Sequence, residues 1–135
     1  MRAMVLEQIG HPLILKDVLC PTPNPFEVLI KIKACGVCRT DLHIVDGELP
    51  HPKLPLILGH QVVGIVDKLG GNASKHKIGD RVGIPWLGGS CHTCEFCISE
   101  RENLCDKAIY TGYLRDGGYA DYCTAHEDFV LKFVL

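Results

Sequence analysis

The sequence predicts a mainly β domain with short helices, built as a barrel or a sandwich. Hydrophobic residues recur mostly at every second position. Residues 28–34, for example, alternate apolar and charged side chains in their second half, as a strand with one solvated face does. Gly, Pro and Asn separate such segments and favour turns between them. Helical periodicity is scarce by comparison.

Six strands and two helices are expected in order along the chain before its last six residues. The strand segments, rich in Val, Ile and Tyr, are residues 2–7, 13–18, 28–34, 61–68, 81–84 and 119–124. The short helices are expected at residues 40–45 and around residues 94–103. Residues 130–135 stay apolar to the last position, where chain ends are more often polar. We therefore expect a strand there that leads into further chain.

Length and charge restrict the class of protein. With 135 residues, 47% apolar and 22% charged, the chain can form the core of one domain. A formal charge of -2 argues against a nucleic-acid or anionic-membrane binder. Glu7 interrupts the N-terminal apolar run, and the charge-free stretches 54–66 and 82–94 are shorter than the roughly 20 residues that span a bilayer. We expect a cytoplasmic protein with no membrane partner.

The most specific spacing signal lies in four of the 8 cysteines. Cys91, Cys94, Cys97 and Cys105 form the pattern C-x2-C-x2-C-x7-C, in which neighbouring thiolates can turn toward one tetrahedral Zn²⁺. An iron–sulfur cluster uses the same thiolates, and His92 is a competing ligand that is out of step with the cysteines. Disulfides are disfavoured in a reducing compartment. The spacing favours structural zinc and indicates metal rather than catalysis.

A second constellation begins with the segment C-G-V-C-R-T-D-L-H at residues 35–43, which is followed by L-G-H-Q at residues 58–61. Cys38 and His60 could supply two ligands of an open metal site, with Cys35 as an alternative ligand. Taken singly, each of these residues is also compatible with ordinary packing in a core.

The order of motifs carries a resemblance. C-G-V-C-R-T-D-L-H is followed by K-L-P-L-I-L-G-H, I-G-D-R-V, the four-cysteine segment and D-G-G-Y-A-D-Y. This order resembles the zinc-dependent alcohol dehydrogenases of the medium-chain dehydrogenase/reductase family, specifically their N-terminal catalytic domain. The resemblance covers residues 1–135 and implies a GroES-like, partly open β-barrel with a structural zinc loop at residues 88–106.

The resemblance also implies residue roles for the zinc sites. Cys38 and His60 match two catalytic zinc ligands, and the third, a cysteine, is expected beyond residue 135. Cys91, Cys94, Cys97 and Cys105 match the structural zinc ligands, whereas Cys20, Cys35 and Cys123 match no ligand position. Asp41 matches the carboxylate that orients the histidine ligand, with a helix-start carboxylate as the alternative.

Three neighbouring residues match family residues that transfer the proton of the alcohol or contact the cofactor. Thr40 and His43 match a proton relay that passes the alcohol's proton through the cofactor ribose, so His43 is also expected to contact the cofactor. Arg39 matches a contact to the cofactor pyrophosphate. The alternatives are a helix cap for Thr40, a surface imidazole for His43 and an ordinary surface charge for Arg39.

Gln61 departs from the family, since most relatives carry a carboxylate after the histidine ligand, and we expect this to alter zinc charge balance and ligand exchange. Leu49 and Trp86 fall where relatives line the substrate pocket, and a bulky Trp86 would favour small alcohols. Ordinary core packing is the alternative for Trp86.

No two of the 14 glycines lie two positions apart, so the chain contains no G-x-G-x-x-G fingerprint and the Rossmann domain is expected to be absent from it. The resemblance implies NAD(P)-linked oxidation of a small alcohol to an aldehyde or ketone through an alkoxide on zinc, possible homo-oligomers, and little activity or NAD(P) binding for this chain alone. A zinc-stabilised interaction module and a polyol or aldehyde dehydrogenase are the alternatives.

Overall fold

A computed structural model describes residues 1–133, and it shows short antiparallel strands joined by turns and short helices. In chain order the elements are β1 (Arg2–Leu6), β2 (Ile14–Asp17), β3 (Glu27–Cys35), α1 (Arg39–Val45), β4 (Leu56–Ile57), β5 (Val62–Leu69), β6 (Arg81–Ile84), β7 (Leu87–Gly89), α2 (Glu95–Ile98), a 3-10 helix (Glu102–Leu104), β8 (Ile109–Tyr110), β9 (Tyr122–His126), a second 3-10 helix (Glu127–Phe129) and β10 (Leu131–Lys132).

The largest sheet has five strands in the order β10-β6-β5-β3-β9. Its central strand β5 pairs antiparallel with β3 and β6, and the β3–β5 register shifts between Leu29 and Ile30 and again between Ile32 and Ala34. Val28, Ile30 and Val82 are fully buried in the core cluster on this sheet. The alternation read from the sequence therefore places one face of the sheet inward.

A smaller sheet, in the order β2-β1-β4, packs with α1 around a second core. Leu6, Leu56 and Leu58 are fully buried there, and Ile44 brings the apolar face of α1 into the same cluster. This packing fixes α1 beside the segment that joins β4 to β5. The third sheet is the short β7–β8 pair.

The predicted mainly β, partly open architecture is confirmed. The strands between residues 1 and 133 divide among three sheets and do not close into one barrel, and every ladder between named strands is antiparallel. The doubly wound parallel sheet of a Rossmann domain is therefore absent from this part of the chain, as expected. Across the described residues, the helices are all too short or too polar to cross a membrane.

The predicted helix around residues 94–103 is wrong in extent. It divides into α2 and a separate 3-10 helix, because Glu100 adopts a left-handed φ of 59° that no α-helix continues through. The strand predicted at residues 119–124 is shifted along the chain and runs from Tyr122 to His126. Val134 and Leu135 of the apolar C-terminal segment lie outside the described residues, while Leu131 and Lys132 form β10.

Candidate metal centres and the adjoining cleft

The four cysteines predicted to bind structural zinc form one cluster, and their sulfur atoms all lie within 4.8 Å of one another. Cys94 Sγ is 3.5 Å and Cys91 Sγ is 3.9 Å from Cys97 Sγ. A tetrahedral zinc with Zn–S bonds of about 2.3 Å places its sulfurs about 3.8 Å apart. The cluster therefore has the dimensions of a zinc-binding loop.

Backbone amides prepare the cluster for a cation. The N–H group of Cys94 donates to Cys91 Sγ at 3.3 Å, and that of Cys91 donates to Cys105 Sγ at 3.5 Å. Hydrogen bonds from the backbone of Thr93 and of Cys94 lower the pKa of the Cys91 thiol to about 5. Because metals bind the thiolate, this shift favours metal binding by Cys91 at neutral pH.

The second constellation also comes together, although its members lie far apart in the sequence. Cys38 Sγ is 3.1 Å from His60 Nε2, and His60 Nδ1 is 3.4 Å from Asp41 Oδ1. Asp41 and His60 are buried. Asp41 Oδ2 accepts a hydrogen bond from the Cys38 backbone N–H at 2.9 Å across the first turn of α1. The carboxylate thus contacts both the cysteine segment and the histidine ring.

The charges in this cluster reinforce one another. The facing Asp41 carboxylate raises the pKa of His60, opposed by burial of the ring. Burial favours protonated Asp41, but hydrogen bonds from His60 and from the Cys38 backbone outweigh it and lower the pKa of the carboxyl group. Burial likewise opposes ionisation of Cys38, yet hydrogen bonds from Thr40 and the charge of His60 hold the pKa of its thiol below the usual value.

Gly59 lets the chain turn sharply just before His60. It adopts a left-handed φ of 97°, and a Cβ at this position would lie 2.7 Å from the Tyr119 ring and 2.8 Å from Cys35 Sγ. A larger residue would therefore be both strained and crowded. The chain is therefore tightly packed against Tyr119 and Cys35 immediately before His60.

A cleft of about 850 Å³ opens beside Cys38 and His60. Its polar lining comes from Thr40, His43 and Gln61, and Leu49 and Trp86 contribute apolar walls. The Trp86 ring meets His60 edge-on, with ring centroids 4.9 Å apart. The His43 side chain is half-exposed, and its Nδ1 atom pairs with the Glu48 carboxylate. A second, more enclosed cleft of about 450 Å³ contains none of the predicted site residues.

Other predicted residues lie apart from these groups. Arg39, the first residue of α1, is exposed and does not line the cleft. Cys20 is exposed, Cys35 is half-buried and Cys123 is buried, and none of the three joins a candidate metal cluster among residues 1–133. Cys35, the alternative ligand, instead packs its sulfur against Gly59 and Gly118.

Tyr119 was missed as a site residue. Its hydroxyl donates to the Gly36 carbonyl at 3.5 Å and is a minor cause of the lowered pKa of Asp41. The tyrosine lies in the D-G-G-Y-A-D-Y segment, about 60 positions after His60 in the sequence, and no local spacing connects the two. Leu131 and Phe133 were missed for the same reason and also line the cleft.

A family model described as the alcohol dehydrogenase GroES-like domain matches residues 24–134. The chain belongs to this family. Two alcohol dehydrogenases of Geobacillus stearothermophilus are 50% and 49% identical to it over 133 residues, which is 98% of the chain. The same matches cover only 40% and 39% of those relatives, so this GroES-like domain spans about two fifths of their length.

Solved structures agree with the family. A zinc-binding dehydrogenase from Sinorhizobium meliloti, bound to NADP, superposes with a TM-score of 0.90 at 34% identity, over 99% of this chain and 38% of that one. A cobalt- and zinc-bound thermostable alcohol dehydrogenase from Pyrobaculum aerophilum superposes with a TM-score of 0.92 at 27% identity, over 100% and 42% of the two chains. The expected GroES-like fold is thereby confirmed.

Proposed function

We propose that this GroES-like domain is the zinc-binding, substrate-side part of an NAD(P)-linked alcohol dehydrogenase that oxidises a small alcohol to an aldehyde or ketone. The observation that supports it most directly is the Cys38–His60 pair, with sulfur and nitrogen 3.1 Å apart beside a partly apolar cleft. Alcohol dehydrogenase relatives at up to 50% identity favour the same activity.

The donor set is compatible with a catalytic zinc. Cys38 Sγ and His60 Nε2 face one another, while His60 Nδ1 and Asp41 Oδ1 are buried, face each other and have no other hydrogen-bond partner within residues 1–133. This arrangement leaves Nε2 free for a metal and holds Nδ1–H toward the carboxylate. Zinc held there acts as a Lewis acid and makes an alcohol easier to deprotonate. We assign Cys38 and His60 as two of its ligands and Asp41 as the residue that orients His60.

We assign the departing proton to Thr40 and His43. Both side chains line the cleft beside Cys38, where the hydroxyl of a bound alcohol would lie. Thr40 Oγ1 can accept a hydrogen bond from the substrate and donate one in turn, so it can pass a proton without holding charge. His43 is half-exposed and hydrogen-bonded to Glu48, so its imidazole can return the proton to water.

Leu49 and Trp86 set the width of the cleft in this proposal. Their apolar faces suit a short alkyl or aryl chain and exclude the water that would compete for the metal. Gln61 lines the same cleft as a neutral amide, so it adds no negative charge beside the zinc ligands. We assign Arg39, exposed at the start of α1, to the cofactor pyrophosphate, since a guanidinium suits that group.

Metal analysis combined with cofactor titration tests the proposal on the chain of 135 residues. After zinc loading and removal of excess metal, we expect two firmly held zinc ions per chain, one lost in Cys38→Ser and the other lost in Cys94→Ser. NAD⁺ titration should show no stoichiometric binding, because the Arg39 contact alone does not hold the cofactor and we assign the rest of its binding site to sequence outside these residues. Equal zinc contents in the Cys38→Ser variant and the unmodified chain would contradict the catalytic zinc site. Tight NAD⁺ binding would contradict the assignment of the main cofactor site to sequence outside these residues.

The structural zinc site is a separate part of the proposal. We assign Cys91, Cys94, Cys97 and Cys105 to it, within the expected loop of residues 88–106. A cobalt-substituted sample distinguishes this site from an iron–sulfur cluster, because four thiolates around Co²⁺ give intense sulfur-to-metal charge-transfer bands that Cys94→Ser should weaken. Iron and inorganic sulfide in the purified protein would overturn the zinc assignment.

A further inference from the structure

A third group of metal-binding side chains lies outside both cysteine sites. His92, His126 and Asp128 each offer one ligand atom, and these atoms all lie within 4.8 Å of one another. The rings of His92 and His126 have centroids 5.8 Å apart, and His126 Nδ1 is 3.9 Å from Asp128 Oδ2. The three residues come from two separate parts of the fold, the four-cysteine loop and the end of β9.

We propose that His92, His126 and Asp128 form a binding site for one divalent transition-metal ion, which connects the four-cysteine loop to β9 and the 3-10 helix after it. Two imidazoles and one carboxylate suit Zn²⁺, Co²⁺, Ni²⁺ or Cu²⁺ and leave the remaining coordination positions to water. The site is distinct from the two cysteine clusters and shares no ligand with them.

The local packing holds the two rings close to a binding geometry. His92 lies 6.0 Å and His126 lies 6.1 Å from the Phe129 ring, so one buried phenyl group supports both imidazoles. Around a metal with bonds of about 2.1 Å, ligand atoms in a tetrahedral arrangement lie about 3.4 Å apart. His92 and Asp128 are exposed and His126 is half-buried, so modest side-chain rotations can close the remaining distance.

The backbone of His92 has an unusual conformation for a residue with a side chain. His92 adopts a left-handed φ of 59°, which costs a residue with a Cβ some conformational energy. In this conformation its ring packs with His126 and Phe129, although Cys91 is the preceding residue in the sequence. The His92 ring is therefore placed to bind a metal together with His126. This interpretation accounts for a histidine that is out of step with the four cysteine ligands.

Charged neighbours of the three ligands can change the affinity of the site for a cation. Lys75 Nζ lies 2.6 Å from Asp128 Oδ1 and competes with a cation for the same carboxylate. A cleft of about 420 Å³, lined by Lys75, His92, Glu102 and Asp128, leaves room for an ion and its waters, and Glu102 adds a second carboxylate nearby. Displacement of the Lys75 ammonium group should therefore accompany metal binding.

Calorimetric titration with ZnCl₂ tests the site in the 135-residue chain after its cysteine sites have been filled with zinc and excess metal removed. We expect one further ion to bind. His126→Ala should weaken that binding by at least about 10-fold, because it removes a direct ligand. Asp128→Asn should weaken it without removing the side chain's shape, and Lys75→Met should strengthen it by up to about fivefold, the effect of one exposed ion pair.

His11→Ala is the matched control, because His11 is exposed and belongs to none of the clusters. Zinc should also raise the melting temperature of the unmodified chain and of His11→Ala, and have less effect on His126→Ala, since an ion that binds only the folded state stabilises it. No further ion at millimolar zinc, or equal affinity in the unmodified chain and both His126→Ala and Asp128→Asn, would overturn the proposal. Unchanged zinc content at the cysteine sites checks that each variant folds.

Discussion

Asp41 has the most connections of any residue in the proposed catalytic site. It accepts from the Cys38 backbone at 2.9 Å and faces His60 at 3.4 Å, and it is buried while doing so. Its position in the first turn of α1, three residues after Cys38, could be explained locally as a helix-start carboxylate. In the structure one carboxylate oxygen accepts from the backbone at the start of the helix and the other faces the ring, so the geometry is compatible with both roles.

The first prediction concerns this carboxylate. Asp41→Asn should weaken zinc binding at Cys38 and His60 by about 10- to 100-fold, because the ring loses the negative charge that orients it and raises its basicity. Competition against a chelating dye measures the change. Asp46→Asn, at the exposed C-terminal end of α1, should leave the affinity unchanged. Equal losses in the two variants would show that Asp41 does not act on His60.

A second prediction separates stability from chemistry. Cys94→Ser should lower the melting temperature of the zinc-loaded chain sharply, because the four-thiolate site loses a ligand and the binding energy that stabilises its loop. Thr40→Ala should change the melting temperature little, since Thr40 lies at the edge of an open cleft. Thermal unfolding followed by circular dichroism compares them. Similar shifts for both would contradict the separate roles.

At the scale of elements, the strands of four or more residues were predictable from the sequence, whereas the shorter strands β4, β7 and β8 were not. Strands β4, β7 and β8 have only two or three residues each, too few for a period of two to show. The helix around residues 94–103 was overestimated because local propensity does not report the left-handed turn at Glu100. That turn redirects the chain toward Cys105.

The third prediction concerns the 3-10 helix that follows β9. Glu127 is buried, and its Oε2 accepts hydrogen bonds from the backbone N–H groups of Ser74 at 2.7 Å and Lys75 at 2.8 Å. Glu127→Ala should lower the free energy of unfolding by about 1–3 kcal/mol, because both amides lose a charged acceptor. Urea denaturation measures the change. Glu95→Ala serves as the control, because the Glu95 side chain in α2 is exposed. An equally large loss of unfolding free energy in that variant would point to a general effect of charge.

At the scale of the whole molecule, the two cysteine sites differ in how far the sequence could predict them. Cys91, Cys94, Cys97 and Cys105 lie within one short loop, so their spacing alone indicates a shared centre. Cys38 and His60 are 22 positions apart and meet only through tertiary packing. The residue types alone suggested this pair with Cys35 as an alternative ligand, and the family resemblance selected Cys38. The cluster at His126 had no sequence signal, because its histidines belong to distant segments.

The fourth prediction follows from that difference. Zinc should leave the molecule in two kinetic phases on exposure to a strong chelator: first from the Cys38–His60 site, which opens on a cleft, then from the loop with four thiolates. Absorbance of a chelating dye records the release. Cys94→Ser should abolish the slow phase, and Cys38→Ser the fast one. A single phase in the unmodified chain would contradict two independent sites.

The position of His60 between two sheets has a mechanical consequence. His60 follows β4 of the small sheet and precedes β5 of the large one, and Cys38 follows β3 of the large sheet. An ion held by both side chains would bear part of any load that pulls the small sheet away from the large one. Zinc at this position would then crosslink the two sheets, and the force needed to separate them would depend on whether the metal is bound.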